Sequence, residues 1–404
     1  MNGPRPVGPL ADIERPLRRL GRFVATAAVL FLIAYTGGVV FVLTSGLVDS
    51  QTRQADFVAF WSAARLALEG NAIAAFDQDL LRQVQALPAD VEEGELFWLY
   101  PPGVQLALAP FGLLPYWAAW VLFNVLSLAA FLGAHWRPAR RVPMAHDLLI
   151  GAPIVVITLQ LGQLLMFWAS ALVSAFRAMA RGQCVLPGLL IGLLSLKPQL
   201  GILLPFALVA ARRWDVILWA TIWTVAVHAV PTLVVGLDYW DAFFKRLAAV
   251  SEALEMNLFK HHLMVSPYAF ARFLGLGHAP AMASQVLVSA GLAASVFALW
   301  RRRDPAAGLG LPGGVLCMAV AAATPYAYYY ELVFAIPGAI LLVRGGYGRS
   351  AFDRVLLGLA LLGPAVLWVW TPLSPLFAPV LVAIVVRATL LGLRQPDMAV
   401  APVR

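Results

Sequence analysis

Charged residues are scarce in this sequence: Asp, Glu, Lys and Arg together make up 12% of its 404 residues. A soluble domain has about 25% charged and 45–50% apolar residues, whereas 61% of this chain is hydrophobic. The sequence therefore excludes a sizeable soluble domain and predicts an all-α polytopic membrane protein. Its net charge of +8 does not indicate nucleic-acid binding, because the arginines fall in short clusters between apolar runs.

Several site signatures are also missing. The two cysteines, Cys184 and Cys317, both lie in apolar segments, so we expect buried thiols rather than a disulfide. The sequence has no HExxH and no Cys/His cluster, which argues against a structural zinc site. It also has no Walker A, GxSxG or Rossmann fingerprint, so a nucleotide mechanism has no support. We expect no cofactor, and the sequence leaves a divalent-metal requirement open.

What the chain has instead is a succession of apolar segments. They span about 23–47, 103–134, 147–161, 164–180, 184–196, 199–211, 215–236, 283–300, 308–323, 330–343, 353–370 and 376–393. The first follows a cluster of arginines and is longer than the apolar part of a signal peptide. We therefore expect it to be a retained transmembrane helix.

Some of these segments are too short for a single crossing, which takes about 20 residues. They come in pairs around Gly162-Gln163 and Lys197-Pro198, a pattern typical of helices that stop short of one face and leave a water-accessible hollow. The segment 103–134 is long instead, and we expect breaks at Pro110 and Pro115 with one net crossing.

The distribution of basic residues predicts the topology. With the N-terminus in the cytoplasm and the sides alternating, most of the 29 Lys and Arg residues fall on the cytoplasmic side. We predict about twelve crossings of an inner or plasma membrane, with both termini cytoplasmic. The predicted parts are a cytoplasmic N-terminus (1–22), a single transmembrane domain (23–393), extracytoplasmic loops at about 48–102 and 237–282, and a cytoplasmic tail (394–404).

Two amphipathic stretches in the first loop, Phe57 to Leu68 and Leu80 to Leu87, suit a position along the membrane surface. We find no internal repeat of the kind common in transporters.

Three charged residues are candidates for chemistry. Lys197 lies between two apolar runs, where a charge costs about 2.5–3.5 kcal/mol on insertion scales, so it either meets an anionic ligand or reaches the interface from a helix end. Asp56 follows the first segment closely, where partial burial favours a general base; the alternative is a solvated loop acid. Glu331 follows three tyrosines and is either part of a site or an interfacial acid in an aromatic belt.

The second loop contributes Lys260, His261 and His262. Adjacent residues on a helix point about 100° apart, so the two histidines are poorly placed to share a metal ion. They form either a cationic patch for a phosphate or sugar, or a pair of exposed loop histidines.

Asp56 and Lys197 belong to a series of short motifs. The motifs are Asp56, Phe60-Trp61-Ser62-Ala63-Ala64, Leu68-Glu69-Gly70, Tyr100-Pro101-Pro102, Leu113-Leu114-Pro115, Gly162-Gln163, Arg181-Gly182, Gly188-x3-Gly192, Lys197-Pro198 and Arg212-Arg213-Trp214. In their order and spacing, from about residue 50 to 345, they resemble glycosyltransferase family 87, the polyprenyl-phosphate-mannose-dependent α-1,2-mannosyltransferases.

The resemblance implies a GT-C-type fold. It also implies an enzyme that moves a hexose, with mannose expected, from a polyprenyl-phosphate carrier to a lipid or glycan acceptor of the cell envelope. The reaction would invert the anomeric carbon at the extracytoplasmic face.

The same resemblance implies roles for individual residues. Asp56 matches the general base of the first loop, Lys197 looks like a contact to the donor phosphate, and Tyr100 and Gln163 would line the cavity. Relatives often have Ser-Pro-His where this chain has Thr324-Pro325-Tyr326. We therefore expect Tyr326 or His262 to take the place of that histidine, with His261 and Glu331 also near the substrate.

Two other functions fit the same pattern. A transporter or flippase for a lipid-linked or small anionic substrate would also use a polar hollow among short helices. A third possible function is that of a non-catalytic assembly partner. Two long loops on one side and no repeat favour the enzyme.

Overall fold

The structure is a computed structural model that describes residues 56–87, 96–140, 142, 145–256, 258, 260–302 and 309–394, together with Thr26 and Leu30. The predicted cytoplasmic N-terminus, nearly all of the first predicted crossing and residues 395–404 of the predicted tail lie outside the described residues.

The described residues form α-helices and short 3-10 turns, with no β-strand among them. The helices are α1 (Phe57–Leu68), α2 (Gln78–Ala86), α3 (Pro102–Gly112), α4 (Tyr116–Ala139), α5 (Ala145–Gly151), α6 (Pro153–Leu161), α7 (Leu165–Met179), α8 (Val185–Leu194), α9 (Pro198–Gly201), α10 (Leu204–Ala210), α11 (Trp214–Val235), α12 (Asp238–Glu255), α13 (Pro267–Phe273), α14 (His278–Trp300), α15 (Leu311–Val320), α16 (Ala335–Arg344), α17 (Ala351–Leu362) and α18 (Phe377–Arg394). The 3-10 turns are Ala72–Phe76, His261–Leu263, Tyr329–Phe334, Gly363–Trp368 and Thr371–Leu376. The architecture is that of an all-α membrane protein.

Four of the described helical segments are long and apolar enough to cross a membrane. They are α4, α11, α14 and the segment Thr371–Arg394, which ends in α18. The other apolar helices are shorter, as the pairs of short segments in the sequence predicted. The twelve crossings stay a prediction.

The predicted helix breaks occur largely where expected. Gly162 ends α6 in a left-handed conformation, with φ of 65°, and Lys197 separates α8 from α9. The long segment at 103–134 breaks between α3 and α4, at Leu113 to Pro115, but Pro110 lies inside α3. The break predicted at Pro110 was therefore wrong.

Close packing of α8 on α11 depends on two glycines spaced one helical turn apart. A Cβ on Gly188 would lie 2.4 Å from the Cβ of Trp219, and one on Gly192 would lie 2.8 Å from the Cβ of Trp223. Small residues four apart let two helix backbones approach closely within a membrane. The tryptophans of α11 thus fill the groove that the glycines of α8 leave open.

The first-loop helix α1 is buried rather than laid along the membrane surface. Nine of its twelve residues are buried, and it packs against α3. Gly112 of α3 makes this possible, since a Cβ there would lie 2.9 Å from the backbone nitrogen of Arg65. Apolar residues on all sides of a helix are typical of a core position. The prediction of a surface position for this stretch was wrong, and α1 instead holds Asp56 against the protein core.

Candidate active site

Asp56 stands directly before α1, yet its side chain does not cap that helix. Aspartate before a helix usually accepts hydrogen bonds from the first N–H groups, but none is made here. Instead, the Oδ2 atom of Asp56 accepts a 2.5 Å hydrogen bond from the Nε2 atom of Gln163. Because this carboxylate does not cap its own helix, it can interact with a substrate.

The position of Gln163 follows from the glycine before it. Gly162 adopts a left-handed conformation, and a Cβ on it would lie only 2.5 Å from the Cβ of Phe57. Only glycine combines this backbone conformation with such a close approach. The chain therefore passes next to Phe57, and Gln163 meets the carboxylate of the neighbouring Asp56.

Burial changes the acidity of Asp56. Loss of hydration raises its pKa to about 6, while the hydrogen bond from Gln163 and the positive charge of Lys197 act in the opposite direction. A carboxyl group with a pKa near 6 is ionised at neutral pH and holds a proton more strongly than an exposed aspartate. These are the properties of a general base.

Lys197 and Glu331 form a buried ion pair. The Nζ atom of Lys197 lies 2.9 Å from the Oε1 atom of Glu331, and the side chains are 7% and 1% exposed. Lys197 is held at the break between α8 and α9, and Glu331 in the turn Tyr329–Phe334. The Oε2 atom of Glu331 is buried and has no hydrogen-bond partner. Since buried charged groups are normally fully paired, this oxygen marks a place where a ligand could donate a hydrogen bond.

Tyrosines surround the two pairs. The Tyr100 hydroxyl is near enough to Lys197, Asp56 and Glu331 to interact electrostatically with each of them. The Lys197 Nζ atom is 5.6 Å from the centroid of the Tyr330 ring, which stacks on Tyr328 at 5.5 Å. The face of the Tyr330 ring stabilises the positive charge of the ammonium.

Tyr100 is fixed by the second loop. The hydroxyl of Tyr239, on α12, donates a 3.1 Å hydrogen bond to the carbonyl oxygen of Tyr100 and accepts a 2.7 Å hydrogen bond from Nε1 of Trp98. Tyr239 is fully buried. The two long loops thus meet beside the charged cluster.

The remaining predicted residues are His261 and His262 of the second loop and Tyr326, which lies between α15 and the turn Tyr329–Phe334. His261 and His262 lie in a turn that packs against Thr371–Leu376, and their rings are 6.3 Å apart. The Tyr326 hydroxyl donates to the Oγ atom of Ser251 on α12 at 3.5 Å. The structure therefore brings Asp56, Tyr100, Gln163, Lys197 and Glu331 together. The roles of His261, His262 and Tyr326 stay predictions.

Two adjoining backbone segments hold this second-loop region. Met264 forms an antiparallel bridge with Tyr328, and the backbone nitrogen of Val265 donates a 2.7 Å hydrogen bond to the carbonyl of Ala327. The Oγ atom of Ser266 donates to the carbonyl of Pro325. The histidine turn is therefore anchored to the same stretch of chain that leads into Glu331.

The pairing of Lys197 with Glu331 was missed by sequence reasoning, which treated each as a separate candidate. They are 134 positions apart, so no local pattern connects them. A usable signal existed, because ionisable residues within apolar segments usually pair with one another. No group of three or more His, Cys, Asp or Glu side chains among the described residues is arranged to hold a metal ion.

Comparison with known proteins gives one match. The family model of glycosyltransferase family 87 matches residues 98–318. This span includes Tyr100, Gln163, Lys197 and the two loop histidines, whereas Asp56 precedes it and Glu331 follows it. No curated protein and no solved structure matches the chain. Because the matched span covers more than half of its length, the chain belongs to glycosyltransferase family 87.

Proposed function

We propose that this membrane glycosyltransferase moves a hexose, with mannose the expected sugar, from a polyprenyl-phosphate carrier to a hydroxyl of a cell-envelope lipid or glycan. The reaction would take place at the extracytoplasmic face and would invert the anomeric carbon. The donor, the acceptor and the bilayer are the partners in this proposal, and it involves no nucleic acid and no cofactor.

The observation that carries the proposal is the partly buried Asp56 carboxylate near the buried ion pair of Lys197 and Glu331. Asp56 accepts a hydrogen bond from Gln163 and lies within electrostatic reach of Lys197. One group can therefore accept a proton while a nearby cation interacts with an anion. Transfer of a sugar from a phosphate to a hydroxyl needs both functions.

The Asp56 carboxylate takes the proton of the acceptor hydroxyl, and that oxygen forms a bond to the anomeric carbon. The bond from this carbon to the phosphate oxygen breaks, and its electron pair leaves with the polyprenyl phosphate. The ammonium of Lys197 would stabilise the negative charge that grows on the leaving phosphate.

The acidity of Asp56 sets the expected pH dependence. The ionised form is the base, so transfer should be active above pH 6 and decline as the pH falls through about 6, where Asp56 becomes protonated.

The test uses purified protein in nanodiscs, a panel of labelled polyprenyl-phosphate sugars and crude envelope lipids as acceptors. Wild type is compared with Asp56→Asn, and Asp79→Asn is the matched control because Asp79 is an exposed acid of the same loop, with a side chain 86% exposed. We expect transfer from one donor, a loss of about 10²–10⁴-fold in Asp56→Asn and no loss in Asp79→Asn.

Equal rates for wild type and Asp56→Asn would exclude Asp56 as the base. Donor binding with no transfer by wild type, across the whole acceptor panel, would contradict the enzymatic proposal. Movement of a labelled lipid between leaflets would then be measured, because a flippase is the alternative.

A further inference from the structure

The helix α12 of the second loop has three separate faces. One face is buried and consists of Tyr239, Phe243 and Leu254. A second face carries Asp238, Asp241, Lys245 and Glu252, all exposed. The third face has Leu237, Trp240, Phe244 and Leu247 at spacings of three and four residues, which places them along one side of the helix.

The buried face packs against the first loop. The ring of Phe76 lies 4.9 Å from Tyr239 and 6.3 Å from Phe243. Arg246 donates a hydrogen bond to the carbonyl of Phe76 and lies over the ring of Phe97. This side of α12 is therefore already occupied by protein.

Three of the four side chains on the apolar face are exposed, and the fourth, Trp240, is partly buried against α11. Leu237 is 78% exposed, Phe244 is 59% exposed and Leu247 is 38% exposed. An exposed row of large apolar side chains on a helix with a separate charged face is typical of a helix that lies in a membrane interface.

The position of α12 identifies what covers this face. The candidate membrane span α11 ends at Val235, and α12 begins at Asp238 after a turn at Gly236. Leu233 and Val234, at the end of α11, are 87% and 71% exposed. The apolar face of α12 thus continues the lipid-facing surface of a membrane span.

Trp240 links the two helices. Its Nε1 atom donates a 2.8 Å hydrogen bond to the Oγ1 atom of Thr232 on α11, and its ring stacks on Phe244 at 5.8 Å. Tryptophan is enriched at the membrane–water boundary because its ring is apolar and its N–H is polar.

We propose that α12 lies in the bilayer surface, with Leu237, Trp240, Phe244 and Leu247 among the lipid chains and the Asp241–Lys245 side in water. The surface of the membrane is the partner of this helix. Through Tyr239, the same helix sets the position of Tyr100, so the bilayer surface supports one wall of the charged cluster. This inference does not depend on the reaction that the cluster performs.

The test places a nitroxide spin label on single cysteines in full-length protein in nanodiscs of phosphatidylcholine and phosphatidylglycerol. Phe244→Cys reports the apolar face and Lys245→Cys is the matched control on the charged face, one residue away. Both carry Cys184→Ala, because Cys184 is partly exposed; Cys317 is fully buried and is left in place. Size-exclusion elution and helix content by circular dichroism confirm that each variant is folded.

For each spin label, the collision rate with oxygen, which concentrates in lipid, is compared with the collision rate with a water-soluble nickel chelate. We expect the oxygen-to-nickel ratio to be several-fold higher at position 244 than at 245, and high again for Leu247→Cys. Equal, nickel-dominated ratios at all three positions would place the helix in water and overturn the proposal. Protection of position 244 from both reagents would also overturn it, since a protein partner or a second copy would then cover the face.

Discussion

Two cation–carboxylate pairs in this protein differ in how completely they are satisfied. Lys197 and Glu331 lie 2.9 Å apart and are almost fully buried. Arg387 and Asp353 lie 2.6 Å apart, but the arginine side chain is 41% exposed. Both pairs join distant parts of the chain, so each looks like a structural connection.

The two pairs differ in their surroundings. Ser350 caps α17 and also accepts a hydrogen bond from Arg387 beside Asp353, so this pair belongs to a helix start that is in contact with water. Glu331 instead keeps a buried oxygen with no hydrogen-bond partner, and the positive charge of its partner Lys197 also acts on Asp56. Incomplete pairing of a buried charge is costly, and native proteins retain it chiefly at functional sites. On our proposal, the first pair serves a ligand and the second serves the fold.

The largest effect should come from breaking the buried pair. Lys197→Met leaves Glu331 buried and unpaired, so we expect a loss of about 3–5 kcal/mol in unfolding free energy and loss of sugar transfer. The double variant Lys197→Met/Glu331→Met removes both charges, and it should recover most of the stability but none of the transfer. Thermal unfolding in detergent and transfer in nanodiscs measure the two quantities. Transfer by the double variant would show that this pair, too, is structural.

A smaller effect should follow from Gly162→Ala. Alanine in the left-handed conformation costs about 1–2 kcal/mol, and its Cβ would also meet Phe57. Gly182→Ala is the matched control, because Gly182 has a φ of 76° with nothing within 4 Å of an added Cβ. We expect Gly162→Ala to lose more stability than the control and to lose transfer as well. Equal losses in the two variants would show that contact with Phe57 does not position Gln163.

Gln163→Leu should change the pH dependence more than the maximal rate. The hydrogen bond from Gln163 lowers the pKa of Asp56, so without it that pKa should rise above 6. The decline in kcat/KM on acidification should then begin at a higher pH, while the rate at high pH falls only modestly. Transfer assays across pH 5 to 9 test this. If kcat/KM of the variant declines at the same pH as in wild type, the decline cannot be assigned to Asp56.

The smallest effect should come from Arg387→Met. Partly exposed ion pairs contribute about 0–1 kcal/mol, so we expect a loss of stability below that limit and unchanged transfer. Thermal unfolding and the transfer assay are compared directly with Lys197→Met. A loss as large as that of Lys197→Met would remove the distinction between the two pairs.

The helix breaks of the fold could be predicted from the sequence because local chemistry determines them. Gly162 supplies a left-handed residue at a helix end, and proline at 198 starts a new helix after Lys197. Pro110 shows the limit of this reasoning, since α3 continues through it. A proline marks a break only when packing does not hold the helix together.

The site could be predicted only in part. Asp56, Gln163 and Lys197 were found because of their motifs and because charge is rare in apolar segments. The pairing with Glu331 was not, because it depends on how distant helices pack. The surface position expected for Phe57 to Leu68 belongs instead, on our proposal, to α12. Four of its charged residues, Asp238, Asp241, Lys245 and Glu252, occupy one side. The polar residues of α1 are too few to keep that helix at a surface.

The single hydroxyl of Tyr239 has a consequence for how such proteins can be recombined. It accepts from Trp98 and donates to the backbone of Tyr100, so it joins a residue of the second loop to two residues of the first. A chimaera that takes its second loop from a relative must bring a hydroxyl to the same place, or Trp98 loses its acceptor inside the protein. The two loops are therefore best exchanged together, as one unit.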